Sequence, residues 1–302
     1  MSSLLKLGSK GTEVVELQTL LGIDIDGLFG EHTKASVIEF QEENDLQPDG
    51  IVGTATWGVL KGHNPDGNLD SDANVYVTDN GMVINKYYLP NDEYVHERYD
   101  NEYAFLHHTA GRENPYRVVD SWGRDDRGRV GTEFVLGGIS HTSGNSDYDG
   151  EMIQAFPEGN FAYHLGAVGS SIMRKASVGV EICSMGYLDN DYKTYVNSKC
   201  LVSQACKLSE PFKNRIYWNK YSDKQLEQVG KWIEYIGKRD SIDMRVGLQQ
   251  WIMKYGPTKA FDFHQDAYDG KVKGLLTHTN VRKDKYDCFP DPGLVDVIMS
   301  IR

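Results

Sequence analysis

The stretch Tyr103-Ala104-Phe105-Leu106-His107-His108 decides how the rest of the chain is read. It is apolar up to two imidazoles and too short for a buried helix, so it reads as an interior strand that ends at histidine. Other runs share this character. Gly131-Thr132-Glu133-Phe134-Val135-Leu136-Gly137-Gly138 and Glu151-Met152-Ile153-Gln154-Ala155-Phe156 are predicted strands, separated by a polar loop with an Asp149-Gly150 turn. Ala176-Ser177-Val178-Gly179-Val180-Glu181-Ile182 is another, and Leu275-Leu276-Thr277-His278 again ends at histidine. Between these runs, Leu226, Val229, Ile233 and Ile236 share one helical face over 222–237, and Ser222 with Gln225 has the spacing of a capping box. A second helix is predicted over 243–255, before Gly256-Pro257. The pattern predicts an α/β fold, a mixed central β-sheet flanked by helices.

The first sixty residues follow a different rule. Asp26-Gly27-Leu28-Phe29-Gly30 and Asp49-Gly50-Ile51-Val52-Gly53 are an imperfect repeat: an Asp-Gly turn, a hydrophobic pair, a glycine, then a helix start with Thr33 or Thr56 near its cap. Ahead of them Gly11-Thr12 opens a helix whose Val14, Leu17, Leu20 and Leu21 are expected on one face. Three short helices joined by such turns predict a small N-terminal three-helix bundle over residues 1–61. Residues 62–80 lack apolar periodicity and read as a linker in which His63 is solvated, which leaves 81–302 as the second domain.

Bulk properties narrow the function. The chain has 302 residues, 32 basic against 44 acidic side chains and a net charge of -12. No basic arm or arginine stripe is present, which argues against nucleic acid and anionic membranes as partners. Mean hydropathy is -0.51, and no apolar run is long enough to insert in a bilayer. Met1-Ser2-Ser3-Leu4-Leu5-Lys6-Leu7-Gly8 has neither the basic nor the apolar segment of a secretory signal, so synthesis in the cytoplasm is expected. Cys183, Cys200, Cys206 and Cys288 form no CxxC pair and are expected to be reduced and mostly buried.

Several scattered residues carry chemistry. His107 and His278 each close a strand, and Asp287 follows His278 in a polar stretch that can loop back. Two imidazoles and a carboxylate are the ligand inventory of a zinc site with an open fourth position. Glu181 supplies a second carboxylate and Lys285 a cation beside the last ligand.

Two resemblances follow from these residues. Leu7-Gly8-Ser9-Lys10-Gly11, Val14, Leu17-Gln18, Asp26-Gly27-Leu28-Phe29-Gly30, Thr33, Phe40-Gln41, Asp49-Gly50-Ile51-Val52-Gly53 and Thr56-Trp57 resemble a peptidoglycan-binding domain of the three-helix type. His107-His108-Thr109-Ala110-Gly111, Tyr163-His164-Leu165-Gly166, Gly179-Val180-Glu181 and His278 with Lys285-x-Asp287 resemble the zinc-dependent N-acetylmuramoyl-L-alanine amidases. That superfamily includes phage lysozyme-amidases and peptidoglycan recognition proteins, and the likeness covers roughly residues 100–295. It implies zinc held by His107, His278 and Asp287, with Cys288 or Asp291 as the other candidates for the third ligand. It implies that Glu181 orients or deprotonates water, that Lys285 stabilises the oxyanion, and that His164 and His108 lie near substrate. The bond implied is the amide between the lactyl group of muramic acid and L-alanine, with peptidoglycan as partner. The expected context is a phage endolysin reaching the wall through a holin-type or other export route. The competing functions are a non-catalytic peptidoglycan receptor and a zinc endopeptidase cutting within the stem peptide. His264 has no role beyond core packing in this reading, and the segment 188–220 has none.

Overall fold

Seven strands build the central sheet, and its order places the ends of three parallel strands side by side. In the computed structural model, which describes residues 4–21, 23–43, 46, 48–53, 56, 57, 60 and 75–302, the strands are β1 (Val75–Val77), β2 (Val83–Lys86), β3 (Tyr103–His108), β4 (Phe134–Leu136), β5 (Met152–Gln154), β6 (Ser177–Ile182), β7 (Tyr187–Leu188), β8 (Ala205–Phe212), β9 (Arg215–Asn219) and β10 (Leu275–Thr277). The large sheet runs β1-β2-β5-β4-β6-β3-β10. Within it β2–β5, β4–β6, β6–β3 and β3–β10 are parallel, while β1–β2 and β4–β5 are antiparallel. This is the mixed α/β sheet expected from the sequence.

Both faces of the sheet are covered at its centre, so β3, β4, β5 and β6 are largely buried and mostly apolar, while the edge strands β1 and β2 are partly exposed. On one face Leu106, Phe134, Leu136, Val180 and Ile182 pack with Val229, Trp232, Ile233 and Ile236 of the helix Asp223–Arg239. That helix starts with the Ser222–Gln225 capping box. Its last turn is locked by Arg239, which pairs with buried Glu133 at 2.7 Å. On the other face Val135 and Ile153 meet the helix Pro115–Trp122 through Val119, and Phe105 packs with Leu165, Met173, Leu276 and Val281. Burying each of these large side chains stabilises by about 1.5–3 kcal/mol. Among the described residues no helix is long and apolar enough to cross a membrane. All four cysteines are free; Cys183, Cys200 and Cys288 are buried and Cys206 partly so.

Several elements differ from expectation. The helix expected over 243–255 begins only at Leu248. Asp243 accepts the Arg245 N–H at 3.0 Å and closes a turn, while Gly247 (φ 94°) runs beside Leu275, where an added Cβ would sit 2.4 Å from the Leu275 carbonyl oxygen. The end of the expected linker, Val75–Val77, is instead an edge strand on β2. Segment 188–220 supplies most of a three-stranded antiparallel sheet, β7-β9-β8. It buries Trp218 against Phe289, ring centroids 4.6 Å apart.

The chain divides into two compact units, Met1–Leu69 and Asp70–Arg302. In the first, the helices Thr12–Leu21 and Glu31–Glu43 enclose Leu5, Val14, Leu17, Phe29, Val37, Val52 and Trp57. Thr56, Trp57 and Leu60 are helical, whereas His63 lies outside the described residues. Leu20, expected in the core, is exposed, and Gln18 takes the buried place. The Gln18 amide nitrogen donates to Asp26 at 2.7 Å, Leu28 O at 3.1 Å and Thr33 at 3.1 Å, and its oxygen accepts the Gly27 N–H at 2.8 Å. Gln41 repeats the pattern with Asp49, Ile51, Thr56 and Gly50. The repeat length is thus 23 residues (41 − 18, and 49 − 26), and each repeat turns on one buried glutamine.

Candidate metal centre

Parallel pairing brings the proposed site together. Glu181 of β6 stands opposite His107 of β3. Thr277 of β10 stands opposite Leu106, which places His278 next to His107. Glu181, His107 and His278 therefore form a row at the carboxyl ends of three parallel strands, where open α/β sheets bind ligands. Asp287 arrives from the following loop, held by the Thr279 N–H on the Asp287 carbonyl at 3.0 Å.

The donor atoms converge closely. His107 Nδ1 lies 3.2 Å from His278 Nδ1 and 3.1 Å from Asp287 Oδ2, and His278 Nδ1 lies 3.0 Å from the same oxygen. Three ligands on a tetrahedral zinc with bonds near 2.0–2.1 Å would be roughly 3.3 Å apart. The far sides of both rings are engaged as ligating histidines require. His278 Nε2 donates to the Leu165 carbonyl at 3.3 Å, which leaves a lone pair on Nδ1. His107 Nε2 lies 2.9 Å from His164 Nδ1. Two nitrogen lone pairs and a carboxylate facing one point fit a divalent cation.

Electrostatics agree with this fit. Burial pushes His107 down to about 4, against the pull of Asp287, so the imidazole is neutral, the form that ligates. Burial works to raise the Asp287 pKa, but His278 and His107 prevail and hold it well below the usual carboxylate range. Glu181 moves the other way: burial and the Asp287 charge raise it, with Lys285 opposing. Its Oε2 is enclosed and has no hydrogen-bond partner. Two neighbouring carboxylates driven apart in pKa are a mark of divided roles. Lys285 opposes the rise of Glu181 and adds to the lowering of His107.

The remaining candidates are placed elsewhere. Asp291 caps the helix Pro292–Met299, its Oδ1 accepting the Gly293 N–H at 2.9 Å and the Leu294 N–H at 3.3 Å. The Cys288 thiol is buried, and burial raises its pKa. His108, expected near substrate, points through the opposite face of the sheet because successive strand residues alternate. There its Nδ1 lies 3.1 Å from the Tyr221 hydroxyl, among Trp218 and Phe289. His164, also expected at substrate, has both ring nitrogens occupied, by His107 and by Ser177 Oγ at 2.9 Å. His264 is partly exposed and stacks on Trp251 at 3.8 Å. Sequence reasoning assigned no role to Ser177; the period-two alternation of β6, which puts Ser177, Gly179 and Glu181 on one face, was the signal available for it.

Residues 10–60 match the family described as a putative peptidoglycan binding domain. An uncharacterised protein of the bpoA1 3′ region of Kitasatospora aureofaciens is 52% identical over 40 residues, 13% of this chain and 34% of that protein. This chain thus matches about a third of that relative. A fused Zn-dependent amidase/peptidase/peptidoglycan-binding domain-containing protein from Clostridium acetobutylicum is similar at 34% identity over 20% of this chain and 29% of its own, TM-score 0.19. The structure of PlyL is similar at 13% identity over 72% of this chain and 96% of its own, TM-score 0.40.

Proposed function

We propose that this protein is a zinc-dependent peptidoglycan hydrolase that cleaves the amide between N-acetylmuramic acid and the L-alanine of the stem peptide. Residues 1–61 hold it on the wall, and the unit that begins ahead of β1 cleaves. The observation that carries the reading is the meeting of His107, His278 and Asp287 donor atoms within 3.2 Å of one another, beside an enclosed, unpartnered carboxylate at Glu181. The peptidoglycan-binding match over residues 10–60 supports a wall polymer as the substrate.

When bound, zinc would polarise the amide carbonyl and lower the pKa of a water to about 7. The chain supplies the rest. His107 and His278 offer ring nitrogens, and Asp287 offers one negative charge. Glu181 takes a proton from the attacking water and returns it to the leaving alanine nitrogen. The Lys285 ammonium stabilises the charge that develops on the carbonyl oxygen. Tethering by the N-terminal unit raises the local concentration of an insoluble substrate.

End-group analysis of digested sacculi tests the reading. New L-alanine amino termini without new reducing ends are expected. New reducing ends, or another dominant amino terminus, would overturn it. Enrichment of residues 1–61 on purified sacculi, relative to an unrelated small helical domain, tests the wall-binding half.

A further inference from the structure

We infer that His164 and Ser177 form a relay behind His107 that fixes its Nδ1 lone pair on the metal, so that His164 is a positioning residue and not a substrate contact. The inference rests on the zinc reading above and goes beyond it to residues outside the ligand set.

The argument is one of place and of hydrogen-bond direction. Along β3, Phe105 and His107 share a face; along β6, Ser177, Gly179 and Glu181 share it. The His164 ring meets Phe105 edge-on at 5.7 Å and His107 edge-on at 5.0 Å. It lies over Gly179, where an added Cβ would stand 3.3 Å from His164 Nδ1 and 2.8 Å from Thr132 Cγ2. Phe105, Ser177 and Gly179 all precede the Glu181–His107 row along their strands. His164 therefore sits behind that row, toward the sheet interior, on the side away from the open strand ends. Gly179 is the residue that makes room for it.

Direction follows from the ligand role. A neutral His107 that offers the Nδ1 lone pair to a cation must carry its proton on Nε2. That proton is donated across 2.9 Å to His164 Nδ1, which must then be the acceptor. His164 consequently carries its own proton on Nε2 and donates it to Ser177 Oγ at 2.9 Å. The Leu165 carbonyl performs the same service for His278 at 3.3 Å. One ligand is thus oriented by backbone and the other by a two-residue side-chain chain. Partners of this kind set ring orientation and tautomer, and their loss weakens metal binding about 10–100-fold.

The test is zinc affinity, measured by competition with a chromogenic chelator, in the full-length protein and in His107→Ala, His164→Leu, His164→Asn and Ser177→Ala. His164→Leu should weaken zinc by about 10–100-fold, and Ser177→Ala by about 10-fold. His164→Asn, whose amide oxygen can accept from His107 Nε2, should recover most of the loss. KM for a soluble muramyl peptide should stay at the wild-type value in the variants that fold, which a substrate contact would not allow. Wild-type zinc affinity in His164→Leu, or a raised KM at unchanged affinity, would overturn the relay. If that variant does not fold, Ser177→Ala decides, and wild-type affinity there overturns it. If the parent binds no zinc, or binds it equally well without His107, the zinc reading itself fails and the relay with it. A loss confined to His164→Leu and Ser177→Ala, with His107→Ala abolishing binding, supports both.

Discussion

In the N-terminal unit, Gln18 and Gln41 are buried amides whose partners all lie within 15 residues of sequence. In the C-terminal unit, His107 meets His278 and Asp287, 171 and 180 residues away. The first cluster is complete: donors meet carbonyl, hydroxyl and carboxylate oxygens, and the amide oxygen meets an N–H. The second is charged and incomplete, with lone pairs facing one another and the Glu181 Oε2 unpartnered. A polar group that closes its own hydrogen bonds locally serves the fold. One that waits for a group from outside stores a capacity for binding. The difference between the units is therefore a difference in what remains unsatisfied after folding.

The comparison breaks most visibly if the metal centre proves dispensable. His107→Ala should lower zinc affinity and wall hydrolysis by at least about 100-fold, beyond the loss from a supporting residue. Far-ultraviolet circular dichroism should be unchanged, because the strand keeps its backbone pairing with β6. Retained hydrolysis would show that the row of side chains is a structural cluster like that of the bundle.

The bundle should fail in the opposite way. Gln18→Leu or Gln41→Leu removes a hub while its partners stay in place, and Gly27 or Gly50 N–H loses its acceptor. Stranding two such groups costs about 3 kcal/mol. Hydrogen exchange of peptides from residues 12–53 should quicken accordingly, with zinc affinity unchanged. Exchange at the parent rate would mean that water replaces the amide without loss.

Metal removal sharpens the contrast. Zinc held at 100 times its dissociation constant stabilises the native form by about 2.7 kcal/mol. Chelation should lower the unfolding free energy of the C-terminal unit by that amount and leave exchange in residues 12–53 untouched. A loss shared equally by both units would contradict the idea that the cation completes only the second cluster.

What could be read from sequence tracks the same distinction. The strands over β3, β6 and β10 were legible because buried parallel strands are nearly continuous apolar runs, and the His-ending pair led to two of the three residues whose donor atoms converge. The capping box at Ser222 was legible because three-residue spacing is a local rule. β8 was not, since a register shift between Lys207 and Phe212 and the exposed Ser209-Glu210-Pro211 erase its alternation. β1 is three residues long with Val75 and Val77 exposed, which no core pattern reveals. The place of His108 was available from period-two alternation alone, once His107 was taken as facing the site. The place of His164 was not, because it lies outside the strands and helices and only contacts with β3 and β6 define its direction.

The smallest expected effect concerns Asp291, and it separates a helix cap from a ligand. Asp291 Oδ1 accepts the Gly293 and Leu294 N–H groups, two donors that no turn of the helix can satisfy. Asp291→Ala should cost about 1 kcal/mol, the usual loss at an N-cap. In a unit of this size that corresponds to a fall in Tm of about 2–4 °C. Zinc affinity should not move, nor should it in Cys288→Ser, whose thiol is not among the converging donor atoms of His107, His278 and Asp287. Asp287→Ala, by contrast, removes the oxygen that lies 3.0 Å from His278 Nδ1 and should weaken zinc strongly. The decisive quantity is the pairing of the two measurements. A cap lowers Tm without touching the metal, and a ligand does the reverse at saturating chelator. Weakened zinc binding in Asp291→Ala with an unchanged metal-free Tm would move the third ligand from Asp287 to Asp291, and with it the proposed geometry of the site.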